Sequence, residues 1–576
     1  MQNDHLSDIK FVTPRSTIEI HIPDGRAICG PRGAPVGDFL KLLENETPAP
    51  IICAIVNGEL RELTVPVKMD SNVTPVTMSD TDGARIYRRS LVFLLESAFD
   101  AVFPGAVLTV DHSVASGGYY CQVSGHPPLS PEELERLAQT MHQLVEADLP
   151  FQRKETPLTE AIEYFAAKGA DDQVRLLKHR QKDYLTLYQL GDFRDYHHGY
   201  MVPSTGFLRW FKLIPTGEGF TLRFPRRNTP TQLLPVPEYP KLLATFRRYG
   251  DWLQNLGISN VGSLNDAIQA GRAHEVILVS EALHEQQISE IAAQIAERRN
   301  ETRVVFIAGP SSSGKTTFSR RLSIQLLARG ISPFPLEMDN YFIDRERTPR
   351  DENGELNFES VDALDTARLS DDLRRLSAGE AVTIPTYNFI TGISSPGKQI
   401  HLRSREIIIL EGIHGLNPAL SVSMPPENTF RIYVSALTQL NLDRHNRVST
   451  TDTRLIRRIV RDARERGYSA LQTIQRWESV RRGEKLYIFP FQENADIMFN
   501  SALVYEVSVL KLLAEPLLRQ VPFGKPEYVE AKRLLAFLQW FLPLGGDLVP
   551  DNSIMREFIG NSILRDFTLW HNHVNS

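Results

Sequence analysis

The chain has 576 residues, more than one hydrophobic core usually serves, so we expect three or four domains. Its 64 basic and 70 acidic residues give a formal net charge of −6, and no long run has one sign. This balance excludes a polyanion-binding surface that dominates the whole molecule. With 42% hydrophobic and 23% charged residues and ordinary amounts of Gly and Pro, collagen-like and low-complexity chains are excluded too.

Cysteine usage and hydropathy suggest the compartment. The three cysteines, Cys29, Cys53 and Cys121, are too few and too scattered for a disulfide framework. No apolar run approaches the roughly 20 residues of a membrane helix. The first residues, MQNDHLSDIK, have no secretory-signal pattern. We therefore expect a cytoplasmic protein without a membrane partner.

The N-terminal half mixes strands and helices. Ser16–Pro23 alternates into Asp24-Gly25, and Ile51–Val56 runs into Asn57-Gly58; both dipeptides favour hairpin turns. A helix is predicted over Pro131–Val145 from its apolar spacing. A mostly helical connector is predicted from Leu242 to Arg299, with breaks near Gly257 and Gly262.

From Arg303 onward, apolar strands alternate with helical segments. This alternation predicts an α/β fold, a parallel sheet with helices on both faces. The predicted strands are Val304–Ala308, Phe334–Met338, Ile407–Leu410, Phe430–Val434 and Asp496–Phe499. The tail after Leu503 is expected to contain helices and a loop at Pro543–Pro550.

A phosphate-binding loop follows the first of these strands. Residues 309–316 read GPSSSGKT, a complete G-x4-G-K-[ST] match between a strand and a helix. Backbone N–H groups of such a loop cradle phosphates, Lys315 would reach the β- and γ-phosphates, and the Thr316 hydroxyl would bind Mg²⁺. The expected cofactor is ATP with Mg²⁺. The residues expected to bind it are Gly309, Ser311, Ser312, Ser313, Gly314, Lys315, Thr316 and Thr317.

Two carboxylates follow predicted strands, at the sheet edge where ligands of such folds bind. Asp339 and Glu411 are the residues in question. A Mg²⁺-dependent phosphotransferase needs an acid near the metal and another that orients the acceptor hydroxyl. We assign Glu411 to the metal and Asp339 to the acceptor, with Asp339 also close enough to be a metal ligand. The alternative is that either acid merely caps a helix or loop.

Four arginines follow the i, i+3, i+4, i+7 spacing of one helical face: Arg454, Arg457, Arg458 and Arg461. Such a stripe repels itself unless an anion is present, and phosphoryl transfer offers one. A solvated basic face or a patch for RNA remains the alternative. A GTPase is disfavoured, because the guanine-reading Asn-Lys-x-Asp string is missing and residues 351–354 make a weak switch candidate.

Residues from about 303 to 500 resemble the uridine kinase/phosphoribulokinase family of P-loop kinases. The resemblance is carried by GPSSSGKTT, MDNYF, NFESVDALD, IPTYNF, ILEGIH, DTRLIRRIVRDARERG and ADI. It implies that Asp339 is the catalytic acid and that Arg458 and Arg461 contact phosphates. It also implies that Asp362 holds ribose hydroxyls and Tyr387 walls the base pocket. Lys315 completes the expected catalytic set, and Tyr341 is an expected substrate contact.

Three positions depart from the uridine kinase pattern. Gly392 stands where these kinases place a base-reading histidine, and Tyr468 and Arg476 replace a lid arginine and a glutamine. A hydrogen-bonding pocket discriminates strongly between substrates, so these changes bear on the acceptor base. They leave phosphoryl transfer itself as expected.

The N-terminal half resembles the amino-terminal region of threonyl-tRNA synthetase. IPDG and VNGEL mark its β-grasp TGS module, and YRRS, GGYY, DLPFQRKE, LYQLGDFRDY and VPSTG mark its editing domain. The editing site of that family uses a His-x3-His and a Cys-x3-His pair. The matching residues are Arg89, Phe93, His197 and Met201. We therefore expect a degenerate site without editing activity.

These expectations combine into one organisation: a TGS-like domain (1–85), an editing-like α+β domain (86–240), a helical connector (241–300), a P-loop kinase domain (301–510) and a helical extension (511–576). The expected activity is ATP-dependent phosphorylation of the 5′-hydroxyl of a nucleoside similar to uridine or cytidine. The alternatives are a kinase for another small hydroxyl compound, and an ATP-switched RNA- or tRNA-binding regulator. Contact of the N-terminal half with RNA or a small ligand, and self-association, are further expectations.

Overall fold

The computed structural model describes residues 11, 13–114, 117–235, 239–351, 354–403, 406–421 and 424–567. The predictions for residues 1–10, for Glu352 and Asn353, and for residues 568–576 lie outside these ranges. The chain forms two compact units. One takes its residues from 1–161, 183–236 and 523–529, and the other from 162–182, 237–522 and 530–576.

The first unit begins with a five-stranded mixed sheet. Its strands are β1 (Thr17–His21), β2 (Ala27–Pro31), β3 (Ile51–Val56), β4 (Glu59–Glu62) and β5 (Ser71–Thr77), in the order β2-β1-β5-β3-β4. The short helix α1 (Val36–Leu40) buries Phe39 and Leu40 in the core of this sheet. Both predicted hairpins are present, and Asn57 and Gly58 turn the second one with φ of 49° and 83°.

Two antiparallel sheets and two helices complete this unit. Its helices are α2 (Thr81–Val102) and α3 (Pro131–Glu146), and its strands are β6 (Val107–Val114), β7 (Gly118–Ser124), β8 (Gln152–Pro157), β9 (Tyr184–Leu190), β10 (Phe193–Asp195), β11 (Lys212–Thr216) and β12 (Gly219–Arg223). The sheets have the orders β11-β12-β7-β6 and β10-β9-β8. The predicted helix α3 is confirmed, and Ser130 and Glu133 form a reciprocal capping box at its start.

The helices that precede the parallel sheet are α4 (Leu158–Ala167), α5 (Asp171–Lys178), α6 (Pro240–Asn255), α7 (Val261–Gln269) and α8 (Ala273–Glu297). The predicted helices between Leu242 and Arg299 are present as α6, α7 and α8, with a break that includes Gly257. Gly262 instead lies in the first turn of α7. The second break falls between α7 and α8 at Gly271, whose φ of 75° suits glycine.

The second unit is built on a five-stranded sheet in which every neighbouring pair is parallel. Its strands are β13 (Val304–Ala308), β14 (Ser332–Glu337), β17 (Glu406–Glu411), β18 (Thr429–Ser435) and β19 (Ile497–Asn500), in the order β14-β17-β13-β18-β19. All five predicted strands are present, and the α/β class is confirmed. Every residue of the central strand β13 is buried. The carboxyl ends of β13, β14 and β17 therefore meet at one edge.

The second unit also contains a hairpin and further helices. They are the hairpin β15 (Val382–Asn388) and β16 (Ile393–Ile400), and the helices α9 (Lys315–Ala328), α10 (Thr366–Ser377), α11 (Pro418–Ser421), α12 (Thr450–Arg466), α13 (Ala470–Tyr487), α14 (Glu506–Leu518), α15 (Glu527–Leu538) and α16 (Arg556–Ile559). No helix within the described ranges is long and apolar enough to cross a membrane.

Candidate functional site

The phosphate loop connects β13 to α9. Ser312 and Gly314 adopt positive φ of 58° and 84°, so the chain curls between strand and helix. Gly309 is required sterically, because a Cβ there would stand 1.9 Å from the carbonyl oxygen of Val434. A loop with such conformations before the start of a helix is the arrangement in which backbone N–H groups can form an anion cradle.

The polar groups of the loop fit a polyphosphate. The side-chain oxygens of Ser312 and Ser313 are buried, and no hydrogen-bond partner for them occurs among the described residues. Lys315 is buried as well, and its Nζ donates to the carbonyl oxygen of Pro310 over 3.3 Å. An anion in the cradle would provide the serine hydroxyls with acceptors and the ammonium with a counter-charge.

Thr316 and Glu411 converge at the start of α9. The Thr316 hydroxyl donates to Oε2 of Glu411 over 3.0 Å. Burial raises the pKa of Glu411 to about 7, Lys315 lowers it, and Asp339 and Glu557 raise it further. A hydroxyl beside a carboxylate is an oxygen donor set that suits Mg²⁺. The residues present therefore fit the expected metal.

Asp339 follows β14 in a single 3₁₀ turn, Met338–Tyr341. Its side chain keeps an exposed surface, although protein atoms crowd around the carboxyl. This crowding raises the pKa of Asp339, whereas the charge of Lys315 lowers it. Because Lys315 acts on the carboxyls of both Asp339 and Glu411, the three groups share one electrostatic environment.

Two arginines of α12 face the phosphate loop. Arg458 donates from Nη1 to the Ser311 hydroxyl over 2.8 Å and from Nε to Asp462 over 3.2 Å. Arg461 lies with Nη1 at 3.7 Å from Oε1 of Glu557. The helical stripe and the resemblance predicted that both arginines contact phosphates at the loop. In the structure Arg458 contacts the loop at Ser311, whereas Arg461 lies beside Glu557, whose carboxylate bonds to Thr317.

The other two arginines of the stripe have a different role. Arg454 bonds to Glu484 over 2.5 Å, and Arg457 pairs with Glu506 and donates to the backbone of Ser501. Both arginine side chains are at most 1% exposed. The expectation that a visiting anion balances the whole stripe is therefore corrected, since carboxylates of the protein already balance half of it.

The residues expected to bind the acceptor differ in their exposure to solvent. Asp362 is exposed in a 3₁₀ turn, where its backbone N–H donates to the Ser360 hydroxyl. Tyr387 on β15 is buried, and its hydroxyl has no partner among the described residues. Tyr341 is fully buried in the core and donates to Asp372 over 3.0 Å, which argues against contact with a substrate.

The positions that depart from the uridine kinase pattern have their own contacts. Gly392 adopts a φ of 75°, and a Cβ there would stand 2.6 Å from Cβ of Arg345. The guanidinium of Arg476 lies 4.3 Å from the ring centre of Tyr468, and this contact lowers the pKa of Tyr468. The two residues that replace a lid arginine and a glutamine thus contact each other.

Three acidic residues near the loop were missed from the sequence. Glu484 on α13 accepts from the Ser311 backbone N–H over 3.1 Å. Glu557 on α16 accepts from the backbone N–H and the hydroxyl of Thr317. Burial and the charge of Glu484 raise the pKa of Glu359 to about 7. Glu359 lies in the NFESVDALD motif, but none of the three matches a pattern of phosphate chemistry.

The editing-like positions in the first unit form a packed interior. Phe93 is fully buried, and its ring lies 5.7 Å from that of His197. His197 Nε2 bonds to Glu96 over 3.1 Å, and both side chains are buried. Arg89 donates to the carbonyl oxygen of Tyr200 over 2.7 Å. Apolar packing and hydrogen bonds thus occupy the positions where the synthetase family places its ligand pairs.

Comparison with known proteins covers both halves. Residues 304–508 match the model of the phosphoribulokinase/uridine kinase family, which confirms the resemblance for that segment. The N-terminal region matches threonine–tRNA ligases: that of Citrifermentans bemidjiense is 32% identical over 196 residues, 34% of this chain and 31% of that protein. The ligase of Methylococcus capsulatus is 36% identical over 160 residues, 28% of this chain and 25% of that protein. The chain thus spans about a third or less of these relatives.

A solved structure of a possible uridine kinase from Bacillus stearothermophilus also aligns. It has 20% sequence identity and a TM-score of 0.27, and the alignment covers 37% of this chain and 98% of that one.

Proposed function

We propose that the second unit is a Mg²⁺-dependent kinase that transfers the γ-phosphate of ATP to the 5′-hydroxyl of a nucleoside. One observation carries this proposal. Lys315, Asp339 and Glu411 share one electrostatic environment beside a loop whose buried serine hydroxyls lack partners. A phosphate cradle, an acid for a metal and a second acid for an acceptor are the three parts that phosphoryl transfer needs.

Each group of residues in the site has its own proposed role. The N–H groups and serines of the loop, Gly309 and Ser311–Thr317, would hold the polyphosphate, with Lys315 as its counter-charge. Thr316 and Glu411 would hold Mg²⁺. Asp339, whose charge acts on the Glu411 carboxyl, would contact the waters of the metal. Bound MgATP supplies the electrophilic phosphorus. Arg458 and Arg461 would offset the negative charge that spreads over the transferring group.

Asp339 is the proposed base for the acceptor hydroxyl. Its carboxylate would accept the hydroxyl proton as the oxygen attacks, a contribution that is typically about 10²–10⁴-fold in rate. Burial raises the pKa of the Asp339 carboxyl, and the charge of Lys315 opposes this rise. Asp362 and Tyr387 would then position the sugar and the base, and the unpartnered Tyr387 hydroxyl offers the base a hydrogen bond.

The test uses the full chain with MgATP and a panel of nucleosides, sugars and sugar phosphates, and it measures ADP release and the phosphorylated product. The proposal expects a nucleoside 5′-monophosphate, and Asp339→Asn should lower kcat by about 10²-fold or more. Glu337→Gln is the matched control, because Glu337 is an exposed acid at the end of β14, two residues before Asp339. If Asp339→Asn retains kcat within about threefold, the base assignment is wrong.

A different hydroxyl acceptor is the second candidate, and specific contacts favour it. Gly392 offers no side chain to a base, and the Tyr468–Arg476 pair replaces two polar contacts of uridine kinases. The same panel separates the two candidates, because the preferred acceptor is the compound with the highest kcat/KM for ADP release. Activity with a sugar or sugar phosphate and none with nucleosides would establish the second candidate.

The similarity of the first unit to threonine–tRNA ligases supports a third proposal, contact with tRNA. Binding of tRNA to the full chain should then weaken steeply with salt, because phosphate contacts release counterions. If nucleosides fail to stimulate ATP turnover while tRNA does, an ATP-switched RNA-binding regulator replaces the kinase.

A further inference from the structure

The C-terminal segment Ser553–Leu564 lies against the phosphate loop. Ile554 packs so closely on Gly314 that a Cβ on this glycine would stand 2.5 Å from Cγ2 of Ile554. The carbonyl oxygen of Leu564 accepts from Arg320 on α9 over 3.0 Å. This segment of the extension therefore contacts the site directly, although no phosphate-loop motif includes it.

One side chain of this segment bonds to the groups that we assign to phosphate. Oε2 of Glu557 accepts from the Thr317 backbone N–H over 3.2 Å and from the Thr317 hydroxyl over 3.0 Å. Thr317 is the third residue of α9, so its N–H is one of the four that have no acceptor within the helix. The start of a helix favours a negative charge, and here a carboxylate of the chain provides it.

The second oxygen of the same carboxylate faces α12. Oε1 of Glu557 lies 3.7 Å from Nη1 of Arg461, and each of these side chains is less than 15% exposed. Glu557 thus joins a group of the phosphate loop to an arginine that the kinase proposal assigns to phosphate. A carboxylate between an N–H donor and a guanidinium has the partners that a phosphate oxygen would take.

We propose that Glu557 is an internal competitor of the nucleotide, so that a polyphosphate must displace its carboxylate from Thr317 and Arg461. This inference rests on nucleotide binding at the loop. Two anions at these donors would repel each other, so the resting contact lowers the fraction of molecules that can bind ATP. The apparent affinity is the intrinsic affinity multiplied by that fraction.

The anchoring of the segment explains how the contact could re-form. The Ser553 hydroxyl donates to the carboxylate of Glu281 over 2.5 Å, and the Met555 backbone N–H donates to Ser553 over 3.0 Å. The Arg556 guanidinium donates to the backbone carbonyl of Pro550 over 3.3 Å. The last two bonds order the segment itself. The Ser553–Glu281 bond and the bond from Arg320 to Leu564 would hold it beside the loop as the Glu557 side chain changes its rotamer. Release of the product would then let the carboxylate return.

The test is calorimetric titration of the full chain with ATP or ADP in the presence of Mg²⁺. Glu557→Gln keeps the size of the side chain and removes its charge, so Kd for both nucleotides should fall about tenfold, within the range of a charge-assisted hydrogen bond. Kd for the acceptor, which has no polyphosphate, should stay the same. Asp566→Asn is the matched control, because it makes the same charge change at an exposed position nearby.

The outcomes separate this inference from the kinase proposal. If Kd for ATP in Glu557→Gln is unchanged or higher, Glu557 does not compete with the nucleotide. The inference is also overturned if neither the wild type nor the variant binds ATP. Tighter ATP binding without phosphorylation of any acceptor supports the competition and contradicts the kinase. If Glu557→Gln fails to fold, Glu557→Asp replaces it: its shorter side chain should also tighten ATP binding, and an unchanged Kd overturns the inference.

Discussion

Arg454 and Glu484 form an ion pair in which neither side chain is more than 1% exposed. The same carboxylate accepts from the backbone N–H of Ser311 in the phosphate loop. Glu484 therefore connects three elements: helix α13, which carries it, helix α12 through Arg454, and the loop. Arg457, three residues after Arg454 on α12, pairs with Glu506. These buried pairs fix the first turns of α12 against the loop, so movement of this helix over a nucleotide would have to occur beyond them.

The first prediction concerns this buried pair. Glu484→Gln leaves the Arg454 guanidinium buried without its counter-charge, and breaking a buried pair in this way typically costs about 3–5 kcal/mol. We expect a loss of that size in the free energy of unfolding of the second unit, measured by denaturant titration. The matched control is Glu275→Gln in the exposed pair with Arg272, which should leave this free energy unchanged.

A double variant tests whether the unpaired charge causes this loss of stability. Arg454→Met with Glu484→Leu removes both charges, and such replacements are often neutral or stabilising. It should therefore recover most of the stability that Glu484→Gln loses. If the double variant is as unstable as the single one, the cost arises from the bond to Ser311 or from packing instead of the unpaired charge.

The second prediction concerns Glu411, whose pKa is raised from 4.5 to about 7. The folded chain holds this proton between pH 4.5 and 7 while the unfolded chain releases it, so the stabilising effect of the proton is lost as pH rises through about 7. Glu411→Gln cannot ionise. At pH 8 and without ligands it should be more stable than the wild type by on the order of 3 kcal/mol.

The measurement is the free energy of unfolding of both proteins at pH 5 and pH 8. The difference should be small at pH 5 and clear at pH 8, although the variant loses activity. Glu337→Gln, at an exposed acid, should show no such pH dependence. Equal stability of Glu411→Gln and the wild type at pH 8 would mean that Lys315 and Thr316 already compensate the charge.

The sheet could be predicted from the sequence because each strand carries its own local signal. The apolar runs predict both ends of β13 correctly. They predict the ends of the other four strands to within two residues. Even β14, which contains Pro333 and Pro335, is consistent with the rules, because it forms the edge of the sheet. The hairpin of β15 and β16 was missed, since Pro385 and Pro396 pair across it and much of it is exposed.

The site could be predicted only where a motif marks it. Thr316 and Glu411 lie 95 residues apart, yet each occupies a recognisable place, a loop motif and a strand end. Glu484 and Glu557 contact the loop from 173 and 240 residues away. No sequence pattern around Glu484 or Glu557 distinguishes these residues from acids on the protein surface. Only tertiary packing decides that they face the loop, and packing also explains why Arg454 and Arg457 point inward from a stripe that the sequence identified.

The third prediction concerns Tyr387. Its buried hydroxyl has no partner among the described residues, so Tyr387→Phe removes an uncompensated polar group. We expect the stability of the free protein to stay equal or to rise slightly. If the acceptor supplies the missing partner, KM for the acceptor should rise about 2- to 13-fold, the range of one ordinary hydrogen bond, while KM for ATP stays the same.

The contrast between stability and KM is the decisive readout. Tyr341→Phe is the matched control, because the Tyr341 hydroxyl is already bonded to Asp372 in the core. It should lower stability and leave KM for the acceptor unchanged. If Tyr387→Phe destabilises the protein and leaves this KM unchanged, Tyr387 is a core residue and the acceptor binds elsewhere.

The fourth prediction concerns the editing-like positions of the first unit. The ring of Phe93 is fully buried at one ligand position, and the guanidinium of Arg89 donates to the backbone carbonyl of Tyr200. His197, which keeps an imidazole, is buried against Glu96. A hydrolytic site needs groups that bind the ester and activate water, and these positions offer packing in their place. The full chain should therefore hydrolyse aminoacyl-tRNA esters no faster than buffer does, with an editing-proficient threonyl-tRNA synthetase as the positive control. Hydrolysis that exceeds the buffer rate and disappears in His197→Gln would show that the imidazole still activates water.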